Sequence, residues 1–132
     1  MGFDPRGFLR VAHELRHKQD EASLRTAIGR AYYYAYLAAL AEASLLGYYP
    51  SWTKSSAGVH RKLWLWLVQS QRQELAELGE RGVMLQYRRT TADYKNPPAV
   101  DWRDELESQL REARDFEVLL ARIQHVPPPP PF

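Results

Sequence analysis

The segment Arg89-Thr90-Thr91-Ala92-Asp93-Tyr94 puts a guanidinium, a carboxylate and a phenol within about one and a half helical turns. Arginine offers a planar fork of donors that matches a phosphate. Asp93 is placed to orient Arg89 or to accept a proton. Tyr94 could donate to a phosphate oxygen or stack on a base. A second segment, Arg30-Ala31-Tyr32-Tyr33-Tyr34-Ala35-Tyr36, again sets arginine among tyrosines. A packed helix rarely needs so many buried hydroxyls, because each must find a partner. If the two segments adjoin, Arg30 and Tyr33 add to a shared polar site, and Arg88 is a further phosphate donor. His60, beside Arg61 and Lys62, is a candidate to contact the same ligand. A structural role competes with this: Arg89 and Asp93 as an ordinary i,i+4 ion pair, Arg30 paired with Asp93, and His60 as a cap or surface residue.

Composition narrows the alternatives. The chain has 132 residues, enough for one core without metals or disulfides. It has no cysteine, which excludes a disulfide scaffold, thiolate zinc sites and a cysteine nucleophile. Lys+Arg at 18 against Asp+Glu at 16 leaves a formal charge of +2. That is too little for tight sequence-independent DNA binding, which needs many phosphate contacts. No apolar run is long enough to span a membrane. The first residues, Met1-Gly2-Phe3-Asp4-Pro5-Arg6, do not resemble a secretory signal. The expectation is a cytoplasmic protein with no membrane association, no cofactor and no metal ion.

The elements that must position these groups are all helical. Asp4-Pro5 starts a first helix, with Phe8, Val11, Ala12 and Leu15 inward, that runs to about Lys18. Gln19 and Asp20 form a short joint. A second helix runs from about Glu21 to Leu46 and closes at Gly47. Its inward stripe is Leu24, Ala27/Ile28, Ala31, Ala35, Ala38/Ala39 and Leu45/Leu46. Glu42 interrupts that stripe; it either sits at the edge, with Ala41 or Ala43 inward, or pairs with a basic group. A loop follows over residues 47–56. A third helix covers about Ala57 to Val68, with Leu63, Trp64, Trp66 and Leu67 as its bulk. A fourth covers about Glu74 to Tyr94, carrying Leu75, Leu78, Val83, Met84 and Tyr87, with a kink or break expected near Gly79 and Gly82. Asn96-Pro97-Pro98 ends it. Asp101 caps a fifth helix whose stripe is Leu106, Leu110, Ala113, Phe116, Leu119/Leu120 and Ile123. The expected architecture is all-α: an up-and-down antiparallel bundle of four to five helices over residues 1–125, with a proline-rich flexible tail at 126–132. The four tryptophans, Trp52, Trp64, Trp66 and Trp102, leave apolar area for self-association.

The two segments resemble motifs of the HEPN superfamily of small helical bundles, in particular its short bacterial and archaeal members. Those typically carry serine-arginine-alanine-tyrosine-tyrosine-alanine-x-phenylalanine on the second helix; here Gly29 replaces the serine, Tyr34 an alanine and Tyr36 the phenylalanine. They also carry arginine-x-x-alanine-aspartate-tyrosine at the end of a later helix, which Arg89 to Tyr94 matches fully. His60 falls where such proteins often have a histidine opening the third helix. The resemblance spans about residues 5 to 124. It implies a homodimer with the polar site at or near the interface, and a minimal nucleotidyltransferase as partner in a toxin–antitoxin-like pair. It also implies RNA or nucleotide as ligand. Many members are metal-independent endoribonucleases, marked by an arginine followed after four to six residues by histidine. Counting from Arg89 that place holds Tyr94, and no histidine follows before His125. The pairs Arg6/His13 and Arg10/His17 fit the count on the wrong helix. Two readings stay open: a binding partner, or a ribonuclease with a variant site. Tyrosines near the family's motif can also accept a nucleotide from the partner, which makes Tyr94 a candidate acceptor.

Overall fold

The structure, a computed structural model, describes residues 2–50 and 58–132. It is an all-α bundle of five helices: α1 (Arg6–Leu15), α2 (Glu21–Leu45), α3 (Val59–Val68), α4 (Gln73–Tyr94) and α5 (Trp102–Ile123). Among the described residues there is no strand, and no helix is long and apolar enough to cross a membrane. α2 is central. It packs against α1, α4 and α5, while α3 rests mainly on α4. Most of the loop expected over 47–56, with Trp52, lies outside the described residues, as does the expected start of the third helix at Ala57.

Short polar side chains set the helix starts. Asp101 accepts from the backbone N–H groups of Arg103 and Asp104 at 3.0 and 3.2 Å. Asp20, read from sequence only as part of a joint, caps α2 by accepting from Ser23 N at 2.9 Å. Asp4 accepts from Arg6 N at 2.9 Å, one turn of chain around Pro5. The helix ends are closed in two ways. α2 finishes in a Schellman turn, with Tyr48 N bonded to Ala43 O, Gly47 N to Ser44 O, and Gly47 at φ 102°. α5 finishes in the same turn, Val126 N to Ala121 O and His125 N to Arg122 O, but a histidine sits at the left-handed position with φ 57°. The ends of α1 and α4 are gripped from outside. Arg103 donates to the carbonyls of Arg16 and Lys18 at 3.1 and 2.9 Å. Arg25 donates to those of Ala92 and Lys95 at 2.6 and 2.5 Å while lying over the Trp102 ring.

The core follows the expected α5 stripe without exception: Leu106, Leu110, Ala113, Phe116, Leu119, Leu120 and Ile123 are all buried. Two expectations change. Leu45 is 83% exposed, because α2 runs beyond the bundle before its turn; Ala43 and Glu42 face inward instead. Val83, Met84 and Tyr87 are exposed, and α4 buries Leu75, Leu78, Gly79, Gly82, Leu85 and Ala92. The glycines therefore do not break α4. A Cβ on Gly82 would lie 2.2 Å from Trp64 Cζ3, and one on Gly79 would lie 2.8 Å from Val68 N, so both are contact points for α3. The tail, expected to be flexible, makes side-chain contacts with the bundle. The carbonyls of Pro129 and Pro130 accept from Arg114 and Arg6, because a proline run has carbonyls but no N–H groups to satisfy them.

Besides Glu42, two polar side chains among the described residues are buried in the bundle. Gln109 on α5 is fully buried and its Nε2 donates to Ile28 O on α2 and Leu85 O on α4, tying three helices. Glu117, 4% exposed, receives Arg6 Nε at 2.6 Å and Arg114 Nη1 at 2.7 Å.

Candidate functional site

Arg89 projects from the buried face of α4 toward α2, with only 15% of its side chain exposed. Its Nε donates to Asp93 Oδ2 at 2.8 Å, one turn along α4. Its Nη2 donates to Tyr33 Oη on α2 at 2.9 Å and makes a longer contact of 3.4 Å with Tyr94 Oη. The guanidinium carbon lies 5.2, 5.3 and 5.9 Å from the ring centres of Tyr33, Tyr94 and Tyr32. The two segments singled out in the sequence thus meet at one cation ringed by three tyrosines. Asp93 and Tyr94 are both exposed, Tyr94 at 72%, so the open side of the group faces solvent. Arg25, holding the carbonyls of Ala92 and Lys95, fixes the stretch of α4 that carries Asp93 and Tyr94.

His60 enters from the first turn of α3. Its ring stacks on Tyr36 at 3.9 Å between centroids, and stands edge-on to Tyr33 at 5.9 Å. Its Nδ1 lies 2.5 Å from Tyr32 Oη, and Tyr32 Oη lies 3.1 Å from Trp64 Nε1. An indole N–H can only donate, so the Tyr32 oxygen is the acceptor of that bond. The Tyr32–His60 bond takes its direction from the histidine tautomer: with Nε2 protonated, Tyr32 donates to a bare Nδ1. Burial, and then the charge of Arg89, keep the His60 pKa below the ordinary histidine value. Tyr32, fully buried, is pushed well above the ordinary phenol value, by burial before anything else, so its hydroxyl keeps its proton.

Not every candidate reaches the site. Arg88, one position from Arg89 and turned by about a quarter of the helix, faces α5, with Nε 4.0 Å from Glu105 Oε2. Arg30 does not take Asp93, whose carboxylate goes to Arg89; it lies over the Phe8 ring at 5.4 Å. The site also holds residues that the sequence reading left out. Trp64 stands one turn from His60 on α3, and Tyr36 one turn from Tyr32 on α2. Those i,i+4 pairings are the signal that could have found them. Comparison with family models, with curated proteins and with solved structures finds no match.

The chemistry on offer is anion binding with a proton donor at hand. The charge of the largely buried Arg89 is offset by one carboxylate, that of Asp93, which stands on the solvent side of the group. A phosphate can replace Asp93 on the guanidinium fork, with the tyrosine rings as stacking surfaces. With Nε2 protonated, the neutral His60 offers an N–H donor.

Two expected results follow from this geometry. A Cβ on Gly29 would sit 3.6 Å from Asp93 Oδ1, an ordinary contact. Gly29→Ser should therefore fold normally and melt a few degrees higher, since it removes a helix-interior glycine penalty of about 0.5 kcal/mol; a lower melting temperature would show that α2 and α4 are closer than described. The second concerns pH. His60 and His13 both have depressed pKa values, burial being the main cause in each. Below about pH 6.5 the unfolded chain takes up protons that the folded chain refuses. Stability is then full above about pH 7 and declines as pH falls toward 5. Thermal melts across that range should show the decline, and His60→Asn should reduce it to the share that His13 contributes.

Proposed function

We propose that this chain is a HEPN-type helical protein that binds RNA or a nucleotide through phosphate at Arg89, as a homodimeric partner of a minimal nucleotidyltransferase in a toxin–antitoxin-like pair. One observation carries the reading: Arg89, Asp93, Tyr94 and Tyr33, drawn from both motifs, converge on one partly open cation. Val83, Met84 and Tyr87 support association beside it, since they leave an apolar stripe on the exposed side of α4 that leads toward Tyr94. The test is fluorescence polarisation with labelled single-stranded RNA and with ATP, together with co-purification against any minimal nucleotidyltransferase found encoded beside this gene. Arg89→Ala should weaken binding by about 10- to 100-fold, the worth of a charge-assisted hydrogen-bond set. Equal affinity in wild type and variant would reject the phosphate site.

A second reading, a metal-independent endoribonuclease with a variant site, is favoured by His60. No histidine follows Arg89 in sequence before His125, but His60 of α3 packs on the same tyrosines that surround Arg89, which supports this reading. Its Nε2–H would donate a hydrogen bond to a non-bridging phosphate oxygen held by Arg89 and stabilise the charge that develops there, while solvent takes the 2′-hydroxyl proton and returns one to the leaving 5′-oxygen. Cleavage of RNA in excess chelator, lost in both His60→Gln and Arg89→Ala, is the expected result; wild-type protein that leaves RNA intact removes this reading and leaves the binding role.

A further inference from the structure

The face opposite the Arg89 cluster in sequence terms, between α1, α2 and α5, holds the chain's own residues 126–132 in a groove. An open cavity of about 260 Å³ remains under the docked tail, lined by Tyr34, Ala38, Ala41 and Leu120 on the bundle side and by Val126 and Pro129 on the tail side. Its polar edge is built. Glu117, 4% exposed, aims two guanidiniums from different helices: Arg6 of α1 through Nε and Arg114 of α5 through Nη1. Each then donates outward to a tail carbonyl. Arg114 Nη1 reaches Pro129 O at 2.7 Å and Arg6 Nη2 reaches Pro130 O at 2.5 Å. Phe132 closes the end, its ring 4.1 Å from the Arg6 guanidinium carbon and 5.2 Å from the His13 ring.

What these groups recognise is a backbone. Five successive prolines have φ fixed near the polyproline II value, lack N–H groups, and present carbonyls with no internal donor. Two fixed guanidiniums over an apolar floor match such a ladder, and the aromatic residue after it supplies the anchor. The connection to the groove is strained. His125 holds φ 57°, a left-handed conformation that costs a side chain more than it costs glycine, although histidine is among the residues that adopt it more readily. Leaving that turn relieves the strain and swings the segment away from its own groove intact.

We propose that this groove is a recognition site for a proline-rich segment in polyproline II form, and that it takes residues 126–132 of a second copy of the chain by exchange as well as its own. Docking within one chain has the advantage of an effective concentration in the millimolar range. Exchange therefore becomes visible when the left-handed turn is closed off. His125→Pro does this, because proline cannot adopt a positive φ and has no N–H for Arg122 O.

The test uses the whole 132-residue chain with 4-fluorophenylalanine at position 132 alone, read by fluorine NMR. Wild type should show one docked resonance at all concentrations, and Arg114→Ala should move it to the position of the free peptide. In His125→Pro the free resonance should dominate at about 10 μM, and the docked fraction should rise at least tenfold toward about 1 mM. Adding Arg114→Ala to it should abolish that rise. A His125→Pro signal that stays free at every concentration overturns the exchange, as does one that stays docked independently of concentration. A wild-type signal that is already free overturns the groove itself. Should His125→Pro fail to fold, excess synthetic peptide of residues 126–132 must displace the wild-type resonance; no displacement overturns the site.

Discussion

Gly82→Ala is expected to destabilise the bundle by about 2–3 kcal/mol and to lower its melting temperature by about 10 °C. On an open helix surface the same change would stabilise by up to about 1 kcal/mol, because glycine is the poorer helix former. Here the added methyl would have to occupy the space of the Trp64 ring, with ideal separations of 2.2, 2.3 and 2.6 Å to three of its carbons. Trp64 is 1% exposed and wedged against Tyr32 and Phe116, so the ring has nowhere to turn. α3 must therefore move off α4, and the apolar contact between them is lost in part. The effect reaches the site as well, because Trp64 is the donor at the base of the Trp64–Tyr32–His60 chain. Thermal or urea denaturation checks the magnitude; a variant that melts at or above the wild-type temperature would mean that Trp64 does not lie on Gly82.

Tyr32→Phe should cost about 2 kcal/mol of stability and release the imidazole of His60 from its single tautomer. The ring itself is retained, so packing changes little. What goes is one oxygen that accepts from Trp64 Nε1 and, with His60 protonated at Nε2, donates to Nδ1. The indole N–H is then buried without its acceptor, which costs about 1–3 kcal/mol. His60 loses the donor that favoured its neutral form, so its pKa should rise toward the ordinary value while burial and Arg89 still hold it down. Nitrogen-15 NMR of labelled histidine reads both effects. In wild type the Nδ1 and Nε2 shifts should be widely separated, as one is bare and the other protonated; in Tyr32→Phe they should converge. Widely separated shifts retained in the variant would show that another group sets the tautomer.

Much of this arrangement is legible before the structure. Apolar spacing finds α5 residue by residue, and Asp101 and Gly47 mark helix limits because capping chemistry is local. The convergence of Arg89, Asp93 and Tyr94 with Tyr33 is likewise anticipated from motif order. What fails to read through is tertiary. Gly79 and Gly82 look like weak points in α4, since sequence shows a missing side chain but not the tryptophan that fills its place. Arg88 and Arg89 are neighbours in sequence, yet the helix turns one to Glu105 and the other to Asp93 and Tyr33. The tail looks unbound because its partners, Arg6 and Arg114, are far from it or from each other along the chain. His60 is named from its position at a helix start; its link to Arg89 depends on tyrosines contributed by α2.

The clamps at the helix ends change how the composition of the chain should be understood. Of 18 basic residues only Lys18, Lys54, Lys62 and Lys95 are lysine, a bias that suggests at first a surface made for polyanions. Yet Arg25 and Arg103 are occupied with carbonyls at the ends of α4 and α1, Arg6 and Arg114 with Glu117 and the tail, and Arg16 and Arg81 with carboxylates of α5. Arginine suits such work because one fork spans two oxygens and stays charged at any pH the fold survives. Six of the guanidinium groups are thus internal mortar, and among the described residues the cations left at the surface are those that stand exposed, Arg10, Arg61, Arg72, Arg111 and Arg122 with Lys18, Lys62 and Lys95. Any polyanion grip on this surface would engage fewer charges than the composition suggests, with a correspondingly shallow dependence on salt.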